Sequence, residues 1–133
     1  MIIVMKCRDV VSHPPITVTP DKTLEEAVEL LANHDVGLLV VVDRDNPRRP
    51  IGVLSERDVV RAIGWKAPLT VTVREAGTFT GLIYVYADDP VEKAFEVMMK
   101  HNIRHVLVLE QNGNLLGVIS IRDLAKFCKL SSG

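Results

Sequence analysis

Several things are scarce in this chain of 133 residues, and each scarcity excludes something. Aromatic residues make up 5%, with one Trp, and there are two cysteines, Cys7 and Cys128. Neither cysteine stands in a CxxC pair or a Cys/His cluster, so no zinc site is readable. Two reduced thiols of a cytoplasmic protein is the expectation. Charge of one sign is missing too: 16 Lys and Arg face 17 Asp and Glu, a formal charge of −1. No general basic field exists to draw the protein onto nucleic acid or an anionic membrane. Apolar runs such as Met1–Met5 and Val36–Val42 fall far short of the ~20 residues that span a bilayer. Met1–Met5 has no charged region before it and no small-residue cleavage site after it, so it does not read as a signal peptide. No GxGxxG, GxxxxGK[ST], HExxH or GxSxG occurs. The histidines are scattered: His13 in a loop, His34 and His101 at equivalent helix ends, His105 at a strand start. Cations suit a helix C-terminus, which accounts for the helix-end pair without chemistry. The expectation is a protein that is not an enzyme.

What the chain does contain is a core-forming share of apolar residues, 47%, and an internal repeat. Val18, Asp21, Glu25, Ala27, Glu29 and His34 recur as Val85, Asp88, Glu92, Ala94, Glu96 and His101, an offset of 67. After a loop the offset falls to 65: Gly52, Val53, Ser55, Arg57 and Asp58 recur as Gly117, Val118, Ser120, Arg122 and Asp123. The difference lies in the segment Arg44–Pro50, whose Asn, Asp and Pro mark a turn where insertions cost least.

Each copy reads as β-α-β-β-α. Pro15–Thr19 is a short β-rich segment. Thr23 then opens a helix, with Glu26 placed as its capping-box partner. Leu24, Ala27, Val28 and Leu31 form its apolar stripe. The second copy's helix opens at Asp89-Pro90, with Pro at the first helical position and Val91, Ala94, Phe95 and Met98 as its stripe. Gly37–Asp43 and His105–Glu110 are apolar enough for strands buried on both faces. Ile51–Leu54 and Leu115–Ile119 follow as strands, then helices Glu56–Ile63 and Ile121–Leu130. Gly64–Gly81 reads as a linker with one extended stretch, and Ser131–Gly133 as a tail without function. The expected domains are 7–66 and 67–130. The expected fold is mixed α/β: two units packed sheet to sheet with pseudo-two-fold symmetry, since one unit alone buries too little surface.

The informative motif is Gly52-Val53-Leu54-Ser55-Glu56-Arg57-Asp58 and its copy Gly117-Val118-Ile119-Ser120-Ile121-Arg122-Asp123. Ser-x-x-Asp at a strand-to-helix junction is an N-capping box. The same junction presents backbone N–H groups and the positive end of a helix, which suit a phosphate. A carboxylate there accepts hydrogen bonds from the vicinal hydroxyls of a ribose. Both readings stand on the residues.

Two β-α-β-β-α units, each closed by G-x-x-[ST]-x-x-D, resemble a pair of cystathionine β-synthase (CBS) domains, the Bateman module. The opening Pro15-Ile16-Thr17-Val18-Thr19-Pro20-Asp21 and the segment Asn102-Ile103-Arg104-His105-Val106 carry the same likeness, over about residues 7–130. Thr78-Phe79-Thr80-Gly81 stands where the family has a proline-bearing opening. The resemblance implies a regulatory module, without catalysis and with no cofactor required. It would bind AMP first, with ADP, ATP or S-adenosylmethionine as alternatives, in clefts shared by the repeats. One cleft would join Ile16, Thr17, Val36, Gly37 and Leu38 to Ser120, Arg122 and Asp123. The other would join Ile83, Tyr84, Ile103, Arg104 and His105 to Ser55, Arg57 and Asp58, gaining Arg104 as a phosphate ligand. Tyr84 reads either as packing or as a stacking platform for a base.

The resemblance also implies a homodimer paired through helices. The apolar faces Val59/Ala62/Ile63 and Leu124/Phe127/Cys128 are expected to lie open for that purpose. A regulated protein partner is a further expectation. The competing reading is a structural or adaptor module with vestigial ligand sites. Nucleic-acid binding draws only on Arg44, Arg48, Arg49 and Arg57, and the first three sit at a loop tip.

Overall fold

The computed structural model describes residues 5–11 and 14–132, and side chains as far as Phe127. His13, assigned to a loop from the sequence, lies outside the described residues, as does the Cys128 side chain. Among the described residues twelve elements follow one another. The chain gathers them into two compact units. Residues 16–82 form one, and the described residues up to Pro15 fold with those from Ile83 onward to form the other. The sequence repeat suggests a boundary at 66/67; the packing divides the chain at 15/16 and 82/83.

The first unit contains β1 (Thr17–Val18), α2 (Leu24–His34), β2 (Leu38–Val42), β3 (Pro50–Ser55), α3 (Glu56–Gly64) and α4 (Val73–Ala76). Its sheet has the order β1-β2-β3, with β1 parallel to β2 and β3 antiparallel to it. Leu39, Val40, Val41 and Val42 are all buried, as a continuous apolar run in a central strand requires. Leu24, Ala27 and Leu31 line the inner face of α2 and pack with Leu39, Val41 and Leu54. Thr23 caps α2 as its sequence predicts, its Oγ accepting the Glu26 N–H at 3.2 Å.

The linker is more ordered than expected. Thr72 caps α4 by accepting the Glu75 N–H at 3.3 Å, and Val73 is fully buried. Thr72-x-x-Glu75 is itself a capping-box pattern inside the presumed extended stretch.

The other unit contains α1 (Cys7–Val10), β4 (Tyr84–Tyr86), α5 (Val91–His101), β5 (His105–Leu109), β6 (Leu115–Ser120) and α6 (Ile121–Ser132). The strand order is β4-β5-β6, with the same parallel and antiparallel pairings. The α1 segment folds here because its backbone is claimed by the second repeat. Cys7 N–H donates to the Asp89 carbonyl, Arg8 N–H to that of Ala87, and Val91 N–H to that of Met5, at 2.9, 2.9 and 3.0 Å. Arg8 also bridges Asp88 and Glu110. These bonds explain one correction: Pro90 is the N-cap of α5 with extended backbone, not its first helical residue. The carbonyl of Met5 takes the first helical N–H instead.

Two expectations about apolar faces also change. Phe95 is exposed rather than part of the α5 stripe, which consists of Val91, Ala94 and Met98. Ala62 and Leu124, expected to face outward, are buried within their own units. The large apolar side chains that do remain exposed include Val60, Ile63, Trp65, Phe95 and Met99. Among the described residues, no helix is long and apolar enough to cross a membrane.

Candidate functional site

The Ser-x-x-Asp residues sit where β3 runs straight into α3 and β6 straight into α6. Antiparallel pairing places the end of β3 beside the start of β2, so Ser55 lies opposite Leu38. The Gly37 carbonyl accepts the Glu56 N–H at 3.1 Å. Ile16 joins the same end of the sheet, its carbonyl accepting the Val40 N–H at 3.0 Å, and Thr17 pairs with Val40. Val36 is half-buried, its N–H bonded to the Leu31 carbonyl at 3.2 Å. Arg57 is exposed on the first turn of α3.

The second repeat reproduces this arrangement. Ser120 lies opposite His105, and the Ile121 N–H donates to the Arg104 carbonyl at 2.7 Å. Ile83 accepts from the Leu107 N–H at 3.4 Å, and Ile103 donates to Met98 at 3.0 Å. Arg104 and Arg122 are exposed and His105 is half-buried. Tyr84 is exposed at its edge, with its ring 5.5 Å from that of Tyr86 in an edge-on pair. The two rings pack on each other while Tyr84 stays largely exposed.

Both Ser/Asp pairs close as capping boxes. Ser55 N–H donates to Asp58 Oδ2 at 2.9 Å and Ser55 Oγ accepts the Asp58 N–H at 3.2 Å. The equivalent distances are 2.9 and 3.0 Å for Ser120 and Asp123. Asp58 is the one buried charged residue among those described, 4% exposed. Its carboxylate also accepts from Ser55 Oγ at 3.1 Å, Thr78 Oγ1 at 3.1 Å and Arg61 Nη1 at 3.5 Å. Thr78 and Arg61 were not legible as site residues. Arg61 had a faint signal, lying three positions after Asp58 on the same helix. Thr78 is 20 residues away, and only the fold brings it in.

Chemically, each junction combines a helix N-terminus, a hydroxyl and a carboxylate, next to the first residues of a central strand. That combination favours an anion at the dipole and a hydroxyl donor at the carboxylate. No group of His, Cys, Asp and Glu among the described residues is placed to hold a metal ion.

The sequence profile of the CBS domain matches twice, over residues 7–64 and 73–129. The chain belongs to the CBS-domain family. Among solved structures, a CBS domain protein of Pyrobaculum aerophilum in complex with AMP is 38% identical, with a TM-score of 0.87 over 97% of this chain and all of that one. An uncharacterized 17.7 kDa protein of Acidianus ambivalens is 35% identical over 109 residues, 82% of this chain. The CBS domain-containing protein YhcV of Bacillus subtilis is 30% identical over 119 residues, 89% of this chain and 81% of its own length. The chain spans 64% of the Acidianus protein and under a quarter of the inosine-5'-monophosphate dehydrogenases it also matches. The mixed α/β architecture, two repeats each with a three-stranded sheet, is that of CBS-pair structures.

Proposed function

We propose that this CBS pair is a regulatory module that binds an adenosyl ligand, AMP in the first place, without transforming it. The observation that carries the reading is the twofold occurrence of Ser and Asp at a helix N-terminus, in a chain 38% identical to a family member solved in complex with AMP. In this reading Asp58 and Asp123 accept the ribose hydroxyls, and Ser55 and Ser120 with the helix ends face the phosphate. The starts of the central strands, Gly37-Leu38 and Arg104-His105, and the openings Ile16-Thr17 and Ile83-Tyr84 line the base and phosphate. No Walker lysine is present and no acidic metal cluster occurs among the described residues, so nothing there supports phosphoryl transfer. ADP, ATP and S-adenosylmethionine are the alternative occupants.

A thermal-shift screen with AMP, ATP, S-adenosylmethionine, NAD and a short RNA tests this, because a ligand specific to the native state raises Tm. AMP is expected to give the largest rise. A rise with RNA alone, or with nothing, would refute the ligand reading. The second reading is an adaptor with vestigial sites, favoured by the exposed Val60, Ile63 and Trp65 on and just after α3. In both readings the protein is cytoplasmic and forms a homodimer through such helix faces. A clean 14.8 kDa species in light scattering at micromolar concentration would overturn the dimer.

A further inference from the structure

Asp58 is buried, and its two oxygens can accept about four hydrogen bonds. Four donors are already in place: Ser55 N–H, Ser55 Oγ, Thr78 Oγ1 and Arg61. A ribose diol can reach this carboxylate only by replacing donors that the protein itself supplies. The Ser55 N–H is fixed by the helix cap, which leaves the side-chain donors to yield.

Thr78 is mounted differently from Ser55. It lies in a short strap that adds one antiparallel rung to the free edge of β3, the Val53 and Thr78 backbones exchanging two hydrogen bonds of 2.9 Å. Phe79 lies against Gly52, where a Cβ would come within 2.5 Å of the ring, and the Arg74 guanidinium sits 5.3 Å from that ring. Gly77 precedes the strap, and Gly81, with φ of 64°, follows it. The segment is held to β3 by one rung and to the core of its unit by the Phe79 ring, and the glycines at its ends let it leave the sheet edge without unfolding α3.

We propose that Thr78 is a latch on Asp58: its hydroxyl occupies the acceptor position that a ligand hydroxyl needs, and ligand binding at this end displaces it together with the strap. This rests on the ligand reading above and adds a regulatory contact to it. Removing the hydroxyl while keeping the shape removes the competitor. The latch therefore lowers affinity, and Thr78→Val raises it.

The test is titration of AMP into isotope-labelled protein, followed by NMR at the amides of Ser55, Arg57 and Asp58, which report on this end locally. Thr78→Val is expected to bind about tenfold more tightly than wild type, the scale of one hydrogen bond to a charged group. Thr78→Ser, which keeps the hydroxyl, should match wild type. AMP binding in Thr78→Val alone would also support the latch. Equal or weaker binding in Thr78→Val would overturn it. If AMP moves these amides in neither protein, the ligand reading fails at this end, and hydrogen exchange decides the latch separately. Faster exchange of the Val53 and Thr78 amides in Thr78→Val, by about tenfold, supports it; unchanged exchange overturns it.

Discussion

Removing the Asp58 carboxylate should be costly for the fold itself, whatever it binds. In Asp58→Ala the Ser55 N–H loses a charge-assisted bond of 2.9 Å at a nearly closed position. Hydrogen bonds to charged groups contribute about 1.5–3 kcal/mol, and loss of a helix cap about 1 kcal/mol. The hydroxyls of Ser55 and Thr78 are half-buried and can turn toward water, so they add only a few tenths. The expected total is about 3 kcal/mol, on the order of 10 °C in Tm for a chain of this size. Asp58→Asn keeps one oxygen for the Ser55 N–H and turns its amide toward Thr78, and should cost about 1 kcal/mol. Urea unfolding of wild type, both variants, Thr78→Val and the Asp58→Ala/Thr78→Val double variant would measure these values. The cycle should show a coupling of at least ~0.5 kcal/mol between the two positions. Asp58→Ala within 0.5 kcal/mol of wild type would refute the reasoning, because the box would then be holding nothing.

Gly52→Ala forces a Cβ against Phe79 and the Thr78 carbonyl, at 2.5 and 2.9 Å. It should cost about 1–3 kcal/mol by overpacking and speed exchange at the Thr78 amide; stability equal to wild type would contradict the close approach. Burial, reinforced by the carboxylates of Asp89 and Glu92, pushes the Cys7 thiol from 9.0 up to about 11. The folded state thus prefers the neutral thiol, so its contribution is complete below pH 9 and is lost as pH rises to about 11. Chemical denaturation from pH 8 to 11 should show wild type losing more stability than Cys7→Val, and parallel curves would count against it. Asp35 and Asn102 end α2 and α5 in left-handed backbone, with φ of 51° and 52°. Asp35→Gly should gain a few tenths of a kcal/mol by relieving that conformation and removing a carboxylate from a helix C-terminus, read as a higher urea midpoint; a loss would contradict the strain.

Much of the fold was legible because it rests on patterns local in sequence. The run Gly37–Asp43 announces a central strand, Thr23-x-x-Glu26 announces a helix start, and the Gly52–Asp58 motif fixes a strand-to-helix junction. Position within those elements carried over to within a residue or two. What was not legible depends on chain segments far apart. Nothing in Cys7–Val10 says that its backbone will be claimed by Ala87 and Asp89, or that Met5 will displace Pro90 from the first turn of α5. The site divides in the same way. Ser55 and Asp58 were found by their spacing, and both the capping and the ligand reading of that spacing stood open. The cap is present in the fold, whereas Thr78, which completes the carboxylate's hydrogen bonds, comes from a segment that looked like linker.

The nested order of the chain has a consequence for synthesis. Residues 16–82 form a contiguous unit, so the residues it is built from are all present once that stretch has been made. The segment bearing Met5, Cys7 and Val10 emerges earlier, yet its partners Ala87, Asp89 and Val91 are made some 80 residues afterwards. At about 5–20 residues per second that is a wait on the order of ten seconds. During it, the backbone groups of Met5, Cys7 and Arg8 lack the partners they will have in the finished unit. The early-made segment therefore finds its place only with the last-made unit. That wait is set by the length of the unit inserted between the two parts of the other, not by the segment itself.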